Sequence, residues 1–313
     1  MRILIELPTW LGDAVMATPA IENLVNFQNE VEITLIGSFI SIEALKNRPK
    51  VVKTLVLDKK YPSLIKKSRE LGHFDVFFSF RSSFRSKFLK LLISANNKHQ
   101  FSKTKYQNRH QVEKYNDFIN ESLNTNFPAG KLVLQAINST LSTHNLKLGI
   151  NPGASYGSAK RWYPQEFAQV AAKLSSEYDI VIFGGPDEID IAKDIEKSLI
   201  EKGVTNYQNL AGKTTISELI NQISSLDLFI TGDSGPMHVA AAFQVPTVAI
   251  FGPTRDDETS QWMNEKSVIV KKTLDCQPCM QRTCPLNHHN CMKLITSSEV
   301  THAIEKLTGI KID

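Results

Sequence analysis

Asp233, Ser234, Gly235 and His238 lie close together at the start of the stretch Thr231–Thr254, TGDSGPMHVAAAFQVPTVAIFGPT. An Asp and a Ser at such a turn can cap backbone N–H groups, and Gly235 is free of the Cβ restriction. Pro236 suits a first helical position. A helix start of this composition offers N–H groups to an anion. Gly252 and Thr254 then end the next apolar run in a second polar turn. Taken singly, Asp233 and Ser234 read as caps and His238 as a packed helix residue. Two polar turns at neighbouring strand ends favour a ligand-binding edge instead.

A second group of candidates follows Ile150, in NPGASYGSAKRW. Its glycines and serines, Ser155 among them, present N–H groups and hydroxyls, and Lys160 adds a point charge. That chemistry fits the diphosphate of a nucleotide; the plain alternative is a solvated basic loop with Trp162 plugged into the core. Glu188, in GGPDE, sits where a carboxylate can bind ribose hydroxyls or merely cap a helix. Asn209–Thr214 is a further strand-end loop able to read a base. Near the amino terminus, Asp13 follows Gly12 at the first strand-to-helix turn. It reads as a helix N-cap or as a base that takes a proton from a substrate hydroxyl. Arg81 and Arg85 follow the fourth strand and can contact an anionic substrate, as can the later Lys103, Lys105, Arg109 and His110.

These positions depend on strand ends being held at one edge. The apolar runs Ile3–Leu7, Val31–Ile36, Val51–Leu57 and Phe74–Phe80 read as strands, and each leads into a helical stretch: Ala14–Phe27, Ile40–Lys46, Leu64–Leu71 and Phe84–Ile93. Val112–Leu123 is one more helix, and Leu132–Leu134 a short further strand. After a weak stretch the alternation resumes, with strands at Lys147–Ile150, Ile180–Phe183, Leu226–Ile230 and Thr247–Phe251. Helices are expected at Pro164–Leu174, Ile189–Ile200, Ile216–Ile223, His238–Ala242 and Ser297–Leu307, the last capped by Ser297-Ser298-Glu299. This order calls for an α/β fold of two Rossmann-like, doubly wound domains facing a central cleft, 1–144 and 145–313. The last helix has the option of packing back on the first domain.

The chain has 313 residues, enough for two cores, with 42% apolar and 22% charged residues and a net charge of +4. So mild a charge permits an anionic substrate or membrane surface and gives no sign of nucleic-acid binding. The first residues lack a signal-peptide pattern, and no apolar run approaches the roughly 18 residues of a spanning helix. A cytoplasmic protein is expected, with peripheral membrane contact as an option. A nicotinamide cofactor is disfavoured by the missing GxGxxG fingerprint, and a triphosphatase by the missing P-loop. Cys276, Cys279, Cys284 and Cys291 have zinc-like spacing, with His288 and His289 between them. They are read as a structural group, with metal left open.

Four segments, WLGDAVMATPAIENL, NPGASYGSAKRW, NLAGKT and TGDSGPMHVAAAFQVPTVAIFGPT, resemble in order and spacing the ADP-heptose–lipopolysaccharide heptosyltransferases, glycosyltransferase family 9. Within that family the resemblance is greatest to the heptosyltransferase II branch. It covers nearly the whole chain and implies a GT-B fold, with the acceptor in the first domain and the donor in the second. Asp13 then matches the catalytic base and Lys160 the lysine on the donor diphosphate, with Ser155 on the same loop. Asp233, Gly235 and His238 match residues that hold heptose and diphosphate, and Ser234 keeps a hydroxyl where some relatives have Thr. Glu188 matches a ribose-binding glutamate. The resemblance implies inverting transfer of heptose from ADP-heptose to a lipid A-linked Kdo/heptose acceptor, with no metal and no cofactor. Arg81 and Arg85 are the candidate acceptor contacts. Alternatives are heptosyltransferase I acting on Kdo, another GT-B nucleotide-sugar transferase, or a binding module without catalysis.

Overall fold

The computed structural model describes residues 1–28, 30–136 and 145–312. It divides into two compact units, Met1–Gln135 and Ala136–Asp313. The domain boundary expected at 144/145 borders residues 137–144, which lie outside those described.

In the first unit the strands are β1 (Arg2–Glu6), β2 (Glu32–Gly37), β3 (Val51–Val56), β4 (His73–Ser79) and β5 (Ser94–Gln100). They form one parallel sheet in the order β3-β2-β1-β4-β5. Helices α1 (Leu11–Met16), α2 (Thr18–Phe27), α3 (Phe39–Leu45), α4 (Tyr61–Glu70), α5 (Phe84–Leu92) and α6 (Gln111–Leu123) connect and cover it. Leu4, Ile36, Phe74 and Phe77 pack under Leu64 of α4 and Leu89 of α5 in one buried cluster. Each such fully buried side chain contributes roughly 1.5–3 kcal/mol relative to exposure.

The second unit holds β6 (Leu146–Asn151), β7 (Tyr178–Ile182), β8 (Tyr207–Asn209), β9 (Leu228–Gly232), β10 (Thr247–Phe251) and β11 (Ser267–Lys271), ordered β11-β10-β9-β6-β7-β8 and again parallel. Its helices are α7 (Pro164–Leu174), α8 (Ile189–Glu201), α9 (Ile216–Ser224), α10 (Gly235–Ala242), α11 (Asp256–Thr259), α12 (Asn290–Lys293) and α13 (Ser297–Thr308). Short 3-10 turns cover Ser158–Lys160 and Pro186–Glu188. Trp162 is buried as the plain reading of its loop required; its indole N–H donates to the Ile295 carbonyl at 2.9 Å, and its ring meets Phe167 edge-on. Helix α13 packs on α7, β10 and β11. Because every strand in a sheet points the same way, all the strand-end loops of a unit share one edge.

The structure departs from the sequence expectations at several points. The single helix expected over Ala14–Phe27 is two, starting at Leu11 and breaking at Ala17. Pro19 has no N–H to donate, and the Thr18 hydroxyl takes the Val15 carbonyl at 2.7 Å. Leu132 and Leu134 are buried on either side of an exposed Val133, but the segment forms no strand. The Val133 N–H donates to the Thr18 hydroxyl and its carbonyl accepts from Arg48, so side chains replace a ladder. The cap of α13 is Thr296, in a reciprocal box with Glu299, not Ser297. Strands β5, β8 and β11 were not foreseen.

Candidate functional site

In the first unit the edge is built on β1. Glu6 ends that strand with no exposed surface, and the strand register sets it opposite Ser79 of β4. The Ser79 hydroxyl donates to Glu6 Oε2 at 2.6 Å and the Ser86 hydroxyl to Oε1 at 2.9 Å. Arg81 Nη1 lies 3.6 Å from Oε1. Burial nevertheless holds the Glu6 carboxyl above its ordinary pKa, against the pull of Ser79, Arg81, Ser86 and Arg85. Sequence reading missed Glu6 as a site residue, although a carboxylate inside an apolar strand was visible. Arg81 is thus anchored from below. Arg85, on α5, donates instead to the Asp58 carbonyl, and its Nε is buried without a partner.

Asp13 is half-buried in the first turn of α1. The N-cap is Trp10, so the capping alternative for Asp13 fails; its carboxylate is one turn further in. The buried Tyr115 of α6 donates its hydroxyl to Asp13 Oδ1 at 3.4 Å. Burial first, then the Asp13 charge, keeps that phenol protonated far above its ordinary pKa. A carboxylate that accepts from the Tyr115 hydroxyl and is still partly open to solvent can accept a proton from a bound hydroxyl. Three of the other basic candidates have partners on α6 or cap it, while Lys103 is exposed. Arg109 pairs with Glu113 and Asp117, Lys105 with Glu121, and His110 caps α6. The same edge carries exposed Trp10, Phe39, Tyr61 and Phe84, each just after β1, β2, β3 and β4 in turn.

In the second unit three strand ends meet at Asp233, just after β9. Its Oδ2 accepts from Lys160 Nζ at 2.6 Å and from the Thr254 hydroxyl, after β10, also at 2.6 Å. Lys160 reaches there from the loop after β6, and its ammonium lies 4.7 Å from the centre of the Tyr156 ring. Ser234 is the N-cap of α10, but its side chain makes no capping bond. Its hydroxyl is engaged by Thr231 at 3.0 Å and by Asn151 Nδ2 at 3.2 Å. Neither Asp233 nor Ser234 therefore caps the helix through its side chain. Gly235 opens α10, Pro236 is its second residue, and His238 is buried in its first turn.

Glu188 makes the capping contact. Its Oε2 accepts from the Gly185 N–H at 2.7 Å, and its carboxyl group presses on Gly153 in the Lys160 loop. A Cβ at Gly153 would lie 2.0 Å from Glu188 Cδ, so a side chain there would displace the Glu188 carboxyl. Ser155 is exposed on that loop. The structure thus brings together Lys160, Asp233, Ser234 and Gly235, with Thr254 and Asn151 added, and sets Glu188 against the same loop. The Asn209–Thr214 loop lies beside the Gly184 turn, where the Gly212 N–H meets the Gly184 carbonyl at 2.9 Å.

The cysteine segment packs on this edge. All four thiols are free and line a small cavity with Ala159, Pro253 and His289. Burial, then Cys279, Cys284 and Cys276, push the Cys291 thiol up to about 11. Cys284 goes the other way, held below its ordinary value by backbone N–H groups, first that of His289 at 3.4 Å. Among the described residues, no three His, Cys, Asp or Glu side chains are grouped to hold a metal ion, and no helix is long and apolar enough to cross a membrane.

Residues 76–290 match the model of Glycosyltransferase family 9 (heptosyltransferase). The chain is 43% identical to lipooligosaccharide heptosyltransferase 2 of Campylobacter jejuni, over 98% of both chains. It is 23% identical to lipopolysaccharide heptosyltransferase 1 of Campylobacter coli, over 99% of both. Among solved structures it is similar to ADP-heptose lipopolysaccharide heptosyltransferase II of E. coli, with a TM-score of 0.80 and 22% identity over 98% of each chain. The fold is that of the GT-B glycosyltransferases.

Burial of Glu6 carries a pH dependence of known sign. Its folded pKa is above the ordinary 4.5, so the folded protein holds this proton more tightly than the unfolded chain does. Its contribution to stability is therefore greatest at low pH and falls as the pH rises through the raised value. In urea denaturation, the stability of the wild type relative to Glu6→Gln is expected to rise as the pH is lowered from 7 towards 5. A pH-independent difference would contradict a buried, proton-binding carboxyl.

Proposed function

The chain belongs to glycosyltransferase family 9, and we propose that it catalyses the second heptose transfer of the lipopolysaccharide inner core. The reaction is inverting transfer of L-glycero-D-manno-heptose from ADP-heptose to the first heptose of a Kdo/heptose–lipid A acceptor. The observation that carries the donor assignment is the Lys160–Asp233–Thr254 cluster at the start of α10. There a cation, a helix N-terminus without a side-chain cap and a glycine meet, as a departing diphosphate requires. The full-length likeness to a protein named heptosyltransferase 2, against a much weaker one to a heptosyltransferase 1, favours the second step over the first.

In this proposal the first unit binds the acceptor and the second the donor. Asp13, oriented by the Tyr115 hydroxyl, takes the proton of the acceptor hydroxyl. That oxygen attacks the anomeric carbon as the bond from it to the diphosphate oxygen breaks, so the configuration inverts and ADP leaves. Lys160 and the N–H groups at Gly235 stabilise the charge that ADP gains, and Asp233 and His238 hold the sugar and diphosphate. Ser155 and Ser234 supply hydroxyls, and Glu188 is the ribose contact. Arg81, set by Glu6, and Arg85 meet the anionic groups of the acceptor. Neither a metal nor a cofactor enters any step.

In this proposal the lipid-linked acceptor is met at the cytoplasmic face of the inner membrane. The row of Trp10, Phe39, Tyr61 and Phe84, with Lys59 and Lys60 exposed between β3 and α4, suits peripheral contact with an anionic bilayer. Free thiols accord with a reducing compartment.

Three measurements check these assignments. ADP release is expected with an acceptor whose Kdo already bears one heptose; release with Kdo alone would shift the protein to the first step, and silence with both would reject the transfer. Asp13→Asn should lower kcat by about 10²- to 10⁴-fold with donor affinity unchanged, and near-native turnover would remove Asp13 as base. In sedimentation with vesicles containing phosphatidylglycerol, Phe84→Ser should reduce the bound fraction; equal binding would discard the aromatic row as a membrane contact.

A further inference from the structure

The Lys160 cluster is short of positive charge for the role just given to it. Lys160 and Asp233 are an ion pair at 2.6 Å, both largely buried, so together they add no net charge. A leaving diphosphate brings several negative charges into that neutral pair. The N–H groups of α10 supply only partial positive charge. A second full cation is needed nearby.

The cysteine segment carries one. Arg282 lies between Cys279 and Cys284, and the segment grips the Lys160 loop and the turn after β10 at several points. The Ala159 N–H donates to the Arg282 carbonyl at 3.0 Å, and Arg282 Nη1 donates to the Tyr156 carbonyl at 3.0 Å. The Tyr156 hydroxyl donates to the Met280 carbonyl at 2.6 Å, and the Met280 N–H to the Pro253 carbonyl at 2.9 Å. Gly157 is fitted to this contact, since a Cβ there would lie 2.2 Å from the Arg282 carbonyl oxygen. The Arg282 backbone is therefore fixed relative to the loop that carries Lys160.

The side chain is fixed as well. Its guanidinium carbon is 5.0 Å from the centre of the Tyr156 ring, the same ring that Lys160 approaches to 4.7 Å. The two cations therefore flank one ring and lie no more than about 10 Å apart. Arg282 is exposed and has no carboxylate partner among the described residues. One of its five N–H donors goes to Tyr156, which leaves the others for a ligand. An anion bound beside Lys160 is within reach of the second cation and meets the forked donor geometry that guanidinium offers to phosphate.

We propose that Arg282 is a second phosphate-binding cation of the Lys160 site, presented there by the cysteine segment and held on the Tyr156 ring. It contacts the diphosphate of the nucleotide sugar and remains with the ADP product. This rests on the donor reading of the Lys160 cluster. The plain alternative is a strut, with the guanidinium serving only to pin Tyr156. Exposure and the lack of a carboxylate partner favour the ligand role, because a strut needs no donors turned to solvent.

The test is calorimetric titration of the full chain with ADP and, separately, with adenosine, for the wild type, Arg282→Gln, Arg282→Lys and Lys160→Ala. Arg282→Gln is expected to weaken ADP about tenfold or more and to leave adenosine unchanged. Arg282→Lys should recover part of the loss. Wild-type ADP affinity in Arg282→Gln, or equal losses for ADP and adenosine, overturns the proposal. If Lys160→Ala weakens ADP while Arg282→Gln does not, Arg282 alone is misassigned. If the wild type itself fails to bind ADP, the donor reading falls and the Arg282 role with it. Thermal unfolding of each variant checks that it is folded, and Arg282→Lys keeps the question decidable should the Gln variant not fold.

Discussion

Asp233 is a carboxylate with almost no exposed surface, and its burial is tolerable only because Lys160 and the Thr254 hydroxyl both reach one of its oxygens. Removing one partner from such a buried pair costs several kcal/mol, roughly 3–5, because a charge is left uncompensated. That constraint sets much of the second unit. It pulls the loop after β6 and the turn after β10 onto the end of β9, which lies between those two strands in the sheet. With Asp233 so engaged and the Ser234 hydroxyl tied to Thr231 and Asn151, α10 is left without a side-chain cap. The open helix start thus follows from how the neighbouring polar groups are satisfied.

The first unit solves a related problem differently. Glu6 is as buried as Asp233, but its nearest cation is 3.6 Å away and only hydroxyls make close bonds to it. Desolvation therefore outweighs attraction and its proton is held more tightly. Arg81 lies 3.6 Å from Glu6 Oε1 and is partly exposed at the strand edge. Each unit places a buried carboxylate beside a cation near the ends of its central strands, one as a tight pair and one as a loose one.

Much of this was legible in the sequence because parallel strands buried on both faces are written as apolar runs. β1, β2, β4, β6, β9 and β10 were found that way. The strands that were missed, β5, β8 and β11, all lie at sheet edges. β5 reads SANNKHQ and is mostly half-buried or exposed, so no apolar signal marks it. Leu132–Leu134 shows the opposite failure: apolar side chains were buried, but Thr18 and Arg48 took the backbone groups a neighbouring strand would have used. At the site, Asp13, Lys160 and Asp233 announced themselves by standing at turns after apolar runs. Glu6 and Arg282 did not, because their surroundings arise from contacts with Ser79 and Tyr156, 73 and 126 residues away in the chain.

The clasp between the cysteine segment and the Lys160 loop has a consequence for the order in which the protein is made. Tyr156 and Met280 are 124 residues apart, so the loop leaves the ribosome long before the segment that fixes it. At about 5–20 residues per second the interval is roughly 6–25 s. The first unit has all its strands in hand before that interval begins. The Lys160 loop spends the interval without Met280, Arg282 or His289 to bond to. The fixed form of the Lys160 loop is therefore acquired late in synthesis, and it depends on a stretch that contributes no strand to either sheet.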